Sequence, residues 1–429
     1  MNSRKLLVDS FHAAVAAADP IRILPPHLPR PPDRKGRTLV VGAGKAAAAM
    51  ALAVEQHWPV QAPLEGLVIT RYGHGHGLLT NRIKVIEAGH PVPDEAGETA
   101  AREILRAVRS LGPDDLLLVL VSGGGSALLS LPADGLSMGA LKDTTRELLR
   151  CGAPIQDMNT VRKHLSAIQG GRLGAACKAR VLALIVSDVT GDDPTQIASG
   201  PCAPDPTTYA DALDILDRYD VRAPQAVRAH LERGAQGAIS ETPKPGDPVF
   251  GRVENRVIAT PQASLQAAAQ HYRKNGVAAA VLGDTVTGEA SEVAKALGAI
   301  ARQVSAHGEP WKPPVALVSG GECTVTISGG GAGRGGRCTE FLLALAIDLA
   351  GLPDVHAIAC DTDGIDGTED NAGAVLTPDT LARAAALPVS AKNLLAGHDS
   401  YGFFSALSDL VVTGPTRTNV NDYRAILIT

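Results

Sequence analysis

Aromatic side chains are scarce in this chain: 2 Trp, 6 Tyr and 5 Phe among 429 residues. That scarcity argues against a protein whose main business is stacking nucleic-acid bases on aromatic platforms. An excess of one charge is missing too. Lys and Arg number 40 against 45 Asp and Glu, a net charge of -5 at neutral pH, so there is no basic footprint for nucleic acid or anionic lipid. No uninterrupted apolar run reaches the roughly 18–20 residues of a membrane span. Near the start, Asp9 and His12 interrupt the apolar stretch behind Arg4 and Lys5, which argues against a signal peptide. The six cysteines (151, 177, 202, 323, 338 and 360) include no C-x-x-C pair. Free thiols in a reducing cytoplasm are expected, rather than zinc or a disulfide framework. Neither nucleic acid nor membrane is expected as a partner, and self-association into a homo-oligomer is left open.

What the chain has in quantity is glycine and proline, 45 and 29 residues. Its length exceeds the usual size of one hydrophobic core, so two domains are expected. The stretch Leu116–Leu129, LLLVLVSGGGSALL, is the most telling. Six β-prone apolar residues suit a strand buried on both faces of a parallel sheet. The strand then breaks into Ser122, Gly123, Gly124, Gly125 and Ser126, where exposed backbone N–H groups can cradle an anion such as phosphate. Val315–Gly321, VALVSGG, repeats the pattern and places Gly320 and Gly321 at a second strand end. Two such loops argue for two strand-tip sites facing one cleft.

Strand-like runs alternate with helical ones along the chain. Thr38–Val41 leads into Gly42-Ala43-Gly44-Lys45 and an Ala-rich helix, Gly66–Thr70 leads into Arg71, and Val181–Val186 leads into Ser187-Asp188. Leu7, Phe11 and Val15 at spacing four predict a short N-terminal amphipathic helix. A helix from near Asn159 carries Val161, Leu165 and Ile168 and is expected to stop at Gly170-Gly171. Residues from about 232 to 252 are rich in Gly, Pro and charge and mark a domain boundary or a surface excursion. Beyond them the alternation resumes with a strand near Val257 and continues to Val355–Ala359. It predicts parallel sheets covered on both faces, with ligands outside the carboxyl ends of the strands.

Several clusters carry chemistry. Gly42-Ala-Gly44-Lys45-Ala-Ala47 resembles the dinucleotide fingerprint G-x-G-x-x-A, but the next strand ends at Thr70-Arg71 with no carboxylate for a ribose. It is no Walker A loop either, since Leu39 and Ala46 stand at the first Gly and the Ser/Thr positions. Lys45 remains, in a helix's first turn, either simply exposed or serving a bound anion. Arg162 and Lys163 read as a solvated helix face or as an anion clamp. Asp188, Asp192 and Asp193 follow a buried strand, where a carboxylate can bind magnesium or orient a hydroxyl, or can merely cap the next helix. Arg334 and Arg337 in the Gly-rich run from Ser328 suit phosphoryl oxygens better than a plain linker would. Two metal readings fail. Asp361-x-Asp363 departs from the EF-hand at Ile365, Asp366 and Ala372, and His74-x-His76 has no third zinc ligand nearby. No G-x-S-x-G elbow is present. Gly loops, one lysine, arginines and carboxylates match phosphoryl transfer, in which positioning and charge stabilisation do nearly everything.

Together the motifs resemble the glycerate 2-kinase family (class II glycerate kinases) with its MOFRL-type C-terminal region. The matching segments are VGAGKAAAAM from Val41, GHPVPDE from Gly89, LVSGGGSALL from Leu120, MNTVRKHLSAIQGGRL from Met158 and VSDVTGDD from Val186. They continue with IASGPCAPD from Ile197, LVSGGECTV from Leu317, GRGGR from Gly333, DTDGIDG from Asp361 and TGPTRTNVND from Thr413. Two positions depart from the family pattern: Cys338-Thr339 stand where Asn and then Gln or Thr are usual, and Arg417 where Gly is common. The resemblance implies ATP- and Mg2+-dependent phosphorylation of D-glycerate at its 2-hydroxyl. It also implies an α/β fold of two domains, a Rossmann-like doubly wound parallel sheet over residues 1–240 and a smaller α/β MOFRL-type domain over 253–429, with 241–252 as boundary and the site in the cleft between them.

Combined with the chemistry above, it gives each residue an expected role. Lys45 would neutralise transferring phosphate and Asp188 would be the base or hydroxyl orienter, with Arg337 as the third catalytic group. Gly44, Ser122–Ser126, Gly320, Gly321 and Arg334 would hold nucleotide phosphates. Asn159, Arg162 and Lys163 would hold the glycerate, and Asp192 would be the magnesium partner. The G-x-G-x-x-A loop keeps an NAD(P)H-dependent hydroxypyruvate reductase as the alternative, and a non-catalytic ligand-binding regulator as a third reading.

Overall fold

The computed structural model of the chain describes every residue except Met1, Arg34, His76, residues 328–332 and Val389. His76 and the first part of the Gly-rich run from Ser328, both singled out above, therefore lie outside the described residues. The chain divides into two compact units, Pro20–Ile258 and the pair Met1–Asp19 with Ala259–Thr429.

In the Pro20–Ile258 unit the apolar runs become β1 (Thr38–Ala43), β2 (Leu64–Arg71), β3 (Ile83–Ala88), β4 (Leu116–Val121), β5 (Arg180–Val186) and β6 (Val253–Ala259). They form one sheet in the order β3-β2-β1-β4-β5-β6. The β2–β3, β1–β2, β1–β4 and β4–β5 pairs are all parallel. This is the doubly wound order expected, with its topological switch point between β1 and β4. β1 and β4 are buried along their whole length, which is why both read as unbroken apolar runs. The helix Glu95–Arg109, opened by the Asp94 carboxylate accepting from Gly97 N, buries Ala100, Ala101, Ile104, Leu105 and Val108 against Leu39, Val41, Val119 and Val121. The strand near Val257 is β6 and closes the edge of this sheet, not the start of the second unit. The Gly/Pro/charge-rich stretch before it is a surface excursion within the first.

The other unit departs from expectation in its sheet. β7 (Ala278–Gly283), β9 (Val315–Gly321), β11 (Val355–Asp361), β12 (Gly373–Leu376), β13 (Leu410–Val411) and β14 (Asp422–Ile428) lie in the order β13-β12-β11-β14-β9-β7. A two-stranded ribbon of β8 (Gly288–Glu289) and β10 (Cys323–Thr324) stands beside them. Only β7–β9 is parallel in the larger sheet; β14 runs antiparallel to both its neighbours. Helix-strand alternation does not forbid this. The connection from β11 to β12 is short enough to reverse direction, and the last strand enters the middle of the sheet.

Side chains along β9 alternate as a strand requires. Val315 and Leu317 join the core under the helices Ala290–His307 and Arg337–Leu349. Ala316 and Val318 face the helices Ser3–Ala16 and Pro261–Lys274. Leu7 and Phe11 of the first helix are fully buried there, and Ser10 Oγ lies 2.8 Å from Tyr272 OH and 2.7 Å from Tyr423 OH. The N-terminal helix thus belongs to the unit formed by residues 259–429 and not to a 1–240 domain. Phe11→Ala should destabilise that unit by about 3–5 kcal/mol, measured as a lowered urea midpoint. A shift under about 1 kcal/mol would show that the helix packs there only loosely.

Candidate active site

The two Gly-rich loops of the first unit meet at the β1–β4 switch point. Gly42 is itself a strand residue, paired with Val68 and Leu120, and a Cβ on it would lie 2.0 Å from Leu120 O. The turn begins one step later, at Gly44. Its φ of +140° and the 2.1 Å that would separate an added Cβ from Ser122 Oγ leave room only for glycine. Ser122 N donates to Ala43 O at 3.2 Å and Lys45 N to Gly123 O at 2.8 Å. Ser122 Oγ accepts from Ala46 N at 3.0 Å. These bonds stitch the loops together and set Lys45 over the β4 turn, with the helix Ala47–His57 starting beside it.

Gly124 takes the left-handed conformation, φ +80°, and Gly125 N donates to Ser122 O at 3.2 Å. The N–H groups of Gly123, Gly124 and Ser126 have no acceptor among the described residues. Successive unpaired N–H groups around a left-handed glycine make a concave anion site. Two side chains close over it: a Cβ built on Gly124 would lie 3.0 Å from His90 Nε2 and 3.4 Å from Lys45 Cγ.

From Ser126 a chain of polar groups runs outward. Ser126 Oγ is 2.9 Å from Ser199 Oγ, which donates to Asn159 Oδ1 at 3.2 Å. Asn159 Nδ2 donates to the backbone and side-chain oxygens of Gln196 at 3.3 and 3.2 Å. Gln169 Nε2 donates to Ser126 O at 2.8 Å and to Leu129 O at 3.0 Å, fixing the turn from behind. Ala198 and Ser199 both have positive φ, +51° and +57°. Non-glycine residues in that region cost about 1–3 kcal/mol each and concentrate at functional sites. The arrangement aims Ser199 at Asn159.

Arg162 closes the set. Its Nη1 donates to Asn159 Oδ1 at 3.3 Å, and no carboxylate pairs with it among the described residues. Burial alone pulls its pKa down from the ordinary arginine value. A partly buried guanidinium without a counter-anion is costly, and a ligand that supplies one relieves that cost.

Lys163 departs from expectation. The helix runs from Ile155 to His164, not from Asn159 to Gly170, so Arg162 and Lys163 occupy its last turn. Successive helical residues point about 100° apart, and Lys163 turns inward. It is fully buried with Nζ 3.3 Å from Asp205 Oδ1. Burial opposes the Asp205 charge, but Lys163 and the bonds from Thr207 outweigh it and lower its pKa. Lys163 is a partner of Asp205 and not part of the Arg162 cluster.

Asp188 leaves the sheet just after β5, which neighbours β4. Asp192, at φ +53°, has Oδ1 buried without a hydrogen bond, whereas Asp193 accepts from Thr195 N at 2.9 Å and Oγ1 at 2.7 Å and serves its own turn. No three His, Cys, Asp or Glu residues gather in a metal-binding group among the described residues. Magnesium commonly takes one or two carboxylates plus substrate phosphates, and the lone Asp192 oxygen fits that mode only.

In the other unit the expected phosphate ligands are otherwise engaged. Gly320 and Gly321 are strand residues of β9, paired with Tyr423 and Asp422. Gly321, at φ +117°, is glycine because an added Cβ would lie 2.4 Å from Val286 O. Arg337 donates from Nε to Asp422 at 2.7 Å, from Nη2 to Asp361 at 2.8 Å, and from Nη1 to Glu322. Burial disfavours its charge, yet Asp422, Asp361 and Glu322 more than offset that and hold its pKa well above the ordinary value. Arg334 donates to Glu369 from Nε at 2.8 Å and Nη2 at 2.5 Å and stacks 4.1 Å over the Tyr401 ring.

Asp366 accepts from Cys338 N, Thr339 N and Thr339 Oγ1, at 3.0, 2.9 and 2.7 Å, capping the helix Arg337–Leu349. Full burial pushes its pKa from 3.8 up to about 6. The folded chain therefore binds this proton more tightly than the unfolded one. The stabilisation is fully present below pH about 4 and is lost as pH rises through about 6, a swing of about 3 kcal/mol. Urea denaturation of wild type against Asp366→Asn should show the wild type losing ground from pH 4.5 to 7. A flat difference would place the carboxyl's pKa at its ordinary value.

Sequence reasoning missed His90, Gln169, Gln196 and Ser199 as site residues. All but Gln196 lie inside quoted motifs, GHPVPDE, AIQGG and IASGP, and the positive φ at Ala198 and Ser199 has no sequence signature.

A doubly wound sheet with an anion cradle at its switch point defines a phosphate- or carboxylate-binding α/β enzyme class. Family models match in two places: a domain of unknown function, DUF4147, over residues 6–232, and the MOFRL family over residues 315–422. The chain is 49% identical to a protein of Agrobacterium vitis provisionally named hydroxypyruvate reductase, covering all of this chain and 95% of that one. It is 39% identical to a glycerate 2-kinase of Pyrococcus horikoshii, covering 100% and 98%. The crystal structure of a glycerate kinase from Thermotoga maritima superposes with a TM-score of 0.86 at 35% identity, covering 99% of each chain. The chain belongs to the glycerate 2-kinase family, in which a DUF4147 domain precedes a MOFRL region.

Proposed function

We propose that this chain is an ATP-dependent kinase that phosphorylates D-glycerate at its 2-hydroxyl, releasing 2-phosphoglycerate and ADP. The observation that carries the reading is Arg162: a partly buried guanidinium with no carboxylate partner among the described residues, linked through Asn159 and Ser199 to the Ser126 end of the anion cradle. Arg162 and Asn159 hold the glycerate carboxylate. The N–H groups of Gly123, Gly124 and Ser126, ordered by Gly44 and Ser122, hold phosphate oxygens, with Gly125 setting the turn. Lys45 neutralises the transferring phosphoryl group, and Asp188 orients the attacking hydroxyl and takes its proton. Asp192 is the residue that would hold magnesium, whose role is to neutralise charge on the nucleotide phosphates. Phosphate contacts from Arg334 and Arg337 require an exchange of partners. For Arg337 the half-exposed Glu322 is the replaceable one, while Asp361 and Asp422 keep the guanidinium aimed.

The name of the Agrobacterium vitis relative favours a second reading, reduction of hydroxypyruvate with a nicotinamide dinucleotide. Against it, β2 ends at Thr70-Arg71 with no carboxylate at its tip, and Gly42 lies inside β1 and not in a phosphate turn. The two separate in one experiment that follows ADP release and NADH consumption with D-glycerate, L-glycerate and hydroxypyruvate. ADP release that needs D-glycerate supports the kinase; NADH oxidation with hydroxypyruvate and no ADP would replace it. Binding without turnover would mark a regulator. Among the described residues no helix is long and apolar enough to cross a membrane.

A further inference from the structure

Beside Ser126, Arg162 and Gln169 lies a cavity of about 40 Å³. Part of its lining is one stripe of the helix Met138–Arg150, with Leu141, Thr145 and Leu148 at positions i, i+4 and i+7. A water-sized group needs roughly 10–15 Å³ of such volume, so about three fit. Leu148 is buried and anchors the stripe in the core made with Val161 and Leu165. Thr144 turns its hydroxyl into its own helix, donating to Ala140 O at 2.8 Å. The Thr145 hydroxyl has no hydrogen-bond partner among the described residues, and Thr145 lines the cavity. The cavity therefore offers, besides the arginine, one uncommitted hydroxyl among aliphatic side chains.

We propose that this helix face sets the length of the acid the enzyme accepts, with Thr145 Oγ1 hydrogen-bonding the terminal hydroxyl of a three-carbon substrate and Leu141 excluding a fourth carbon. The assignment rests on the kinase reading above, because it takes the carboxylate to sit on Arg162. An acid held there shares this small cavity with the stripe. A 3-hydroxyl meets Thr145, and a longer polyhydroxy tail has to displace the leucine. Discrimination by a wall of this kind is worth about tenfold or more per carbon, and loss of a single neutral hydrogen bond about threefold to tenfold.

The test compares three acids on the full-length chain with ATP: D-glycerate, D-lactate, which lacks the terminal hydroxyl, and the four-carbon D-erythronate. The variants are Thr145→Val and Leu141→Ala. Thr145→Val should raise the KM for glycerate about fivefold and leave the KM for lactate unchanged. Leu141→Ala should raise the erythronate-to-glycerate ratio of kcat/KM at least tenfold. Melting temperatures identify a variant that is merely unfolded, and the smaller Leu141→Val then serves for the same ratio. Wild-type turnover of glycerate, with the glycerate KM of folded Thr145→Val or the erythronate-to-glycerate ratio of folded Leu141→Ala unmoved, overturns the length filter alone. No ADP from wild type with any of the three acids overturns the kinase reading and the filter with it.

Discussion

Arg162→Met should weaken binding of glycerate about 10²–10³-fold while leaving the melting temperature at or above that of wild type. Both halves follow from one circumstance. The guanidinium is partly buried, donates one bond to Asn159 Oδ1 at 3.3 Å, and has no carboxylate partner among the described residues. In the ligand-free chain its charge is therefore a cost, and a similar-sized apolar side chain relieves it. In the complex it is the natural counter-ion of the substrate carboxylate, an interaction of about 3–4 kcal/mol when truncated. Arg162→Lys should fall between the two, since an ammonium keeps the charge but not the two-pronged geometry. KM and thermal melts on the same preparations check this. A melting temperature more than about 5 °C below wild type would mean that the arginine serves the fold and not a ligand.

Lys45→Met should lower kcat about 10²–10³-fold, the usual scale for removing one preorganised cation or donor from a phosphoryl-transfer site. KM for glycerate should move far less. The loop should survive the change, because its geometry is held by main-chain bonds. Lys45 N still donates to Gly123 O and Ala46 N to Ser122 Oγ, whatever the side chain. Methionine also preserves the apolar stem that packs against Gly124. Single-turnover measurements with saturating ATP would isolate the chemical step. Turnover within threefold of wild type would remove Lys45 from the reaction.

The first unit was legible because its signals are local. The apolar runs at Thr38–Val41 and Leu116–Val121 read as strands buried on both faces, and the structure extends the first by two residues, to Ala43. The switch point then follows from strand order. What stayed hidden depends on partners far away in sequence. Nothing near Arg162 and Lys163 tells which of two adjacent cations faces the ligand; Asp205 decides it, 42 residues on. Gly320 and Gly321 repeat the letters of the first loop, yet there the small residue makes room for Val286 and not for an anion. Arg334 and Arg337 look free in a run of glycines, but their carboxylates come from Glu369, Asp422 and Asp361. Strand direction in the second sheet was equally out of reach, since apolar alternation does not encode it.

The placement of β14 bears on how this polypeptide acquires its structure. Asp422–Ile428 is no peripheral trimming: it bridges β11 and β9 by main-chain bonds along its entire length, and the face it completes also carries the helix Ser3–Ala16. Segments 1–19 and 259–429 therefore mature together, and late. On the ribosome the 20–258 stretch can finish its own sheet while the first helix waits for company that is translated after it. Removing even the final half-dozen residues should leave one sheet intact and the other split into two unjoined pieces.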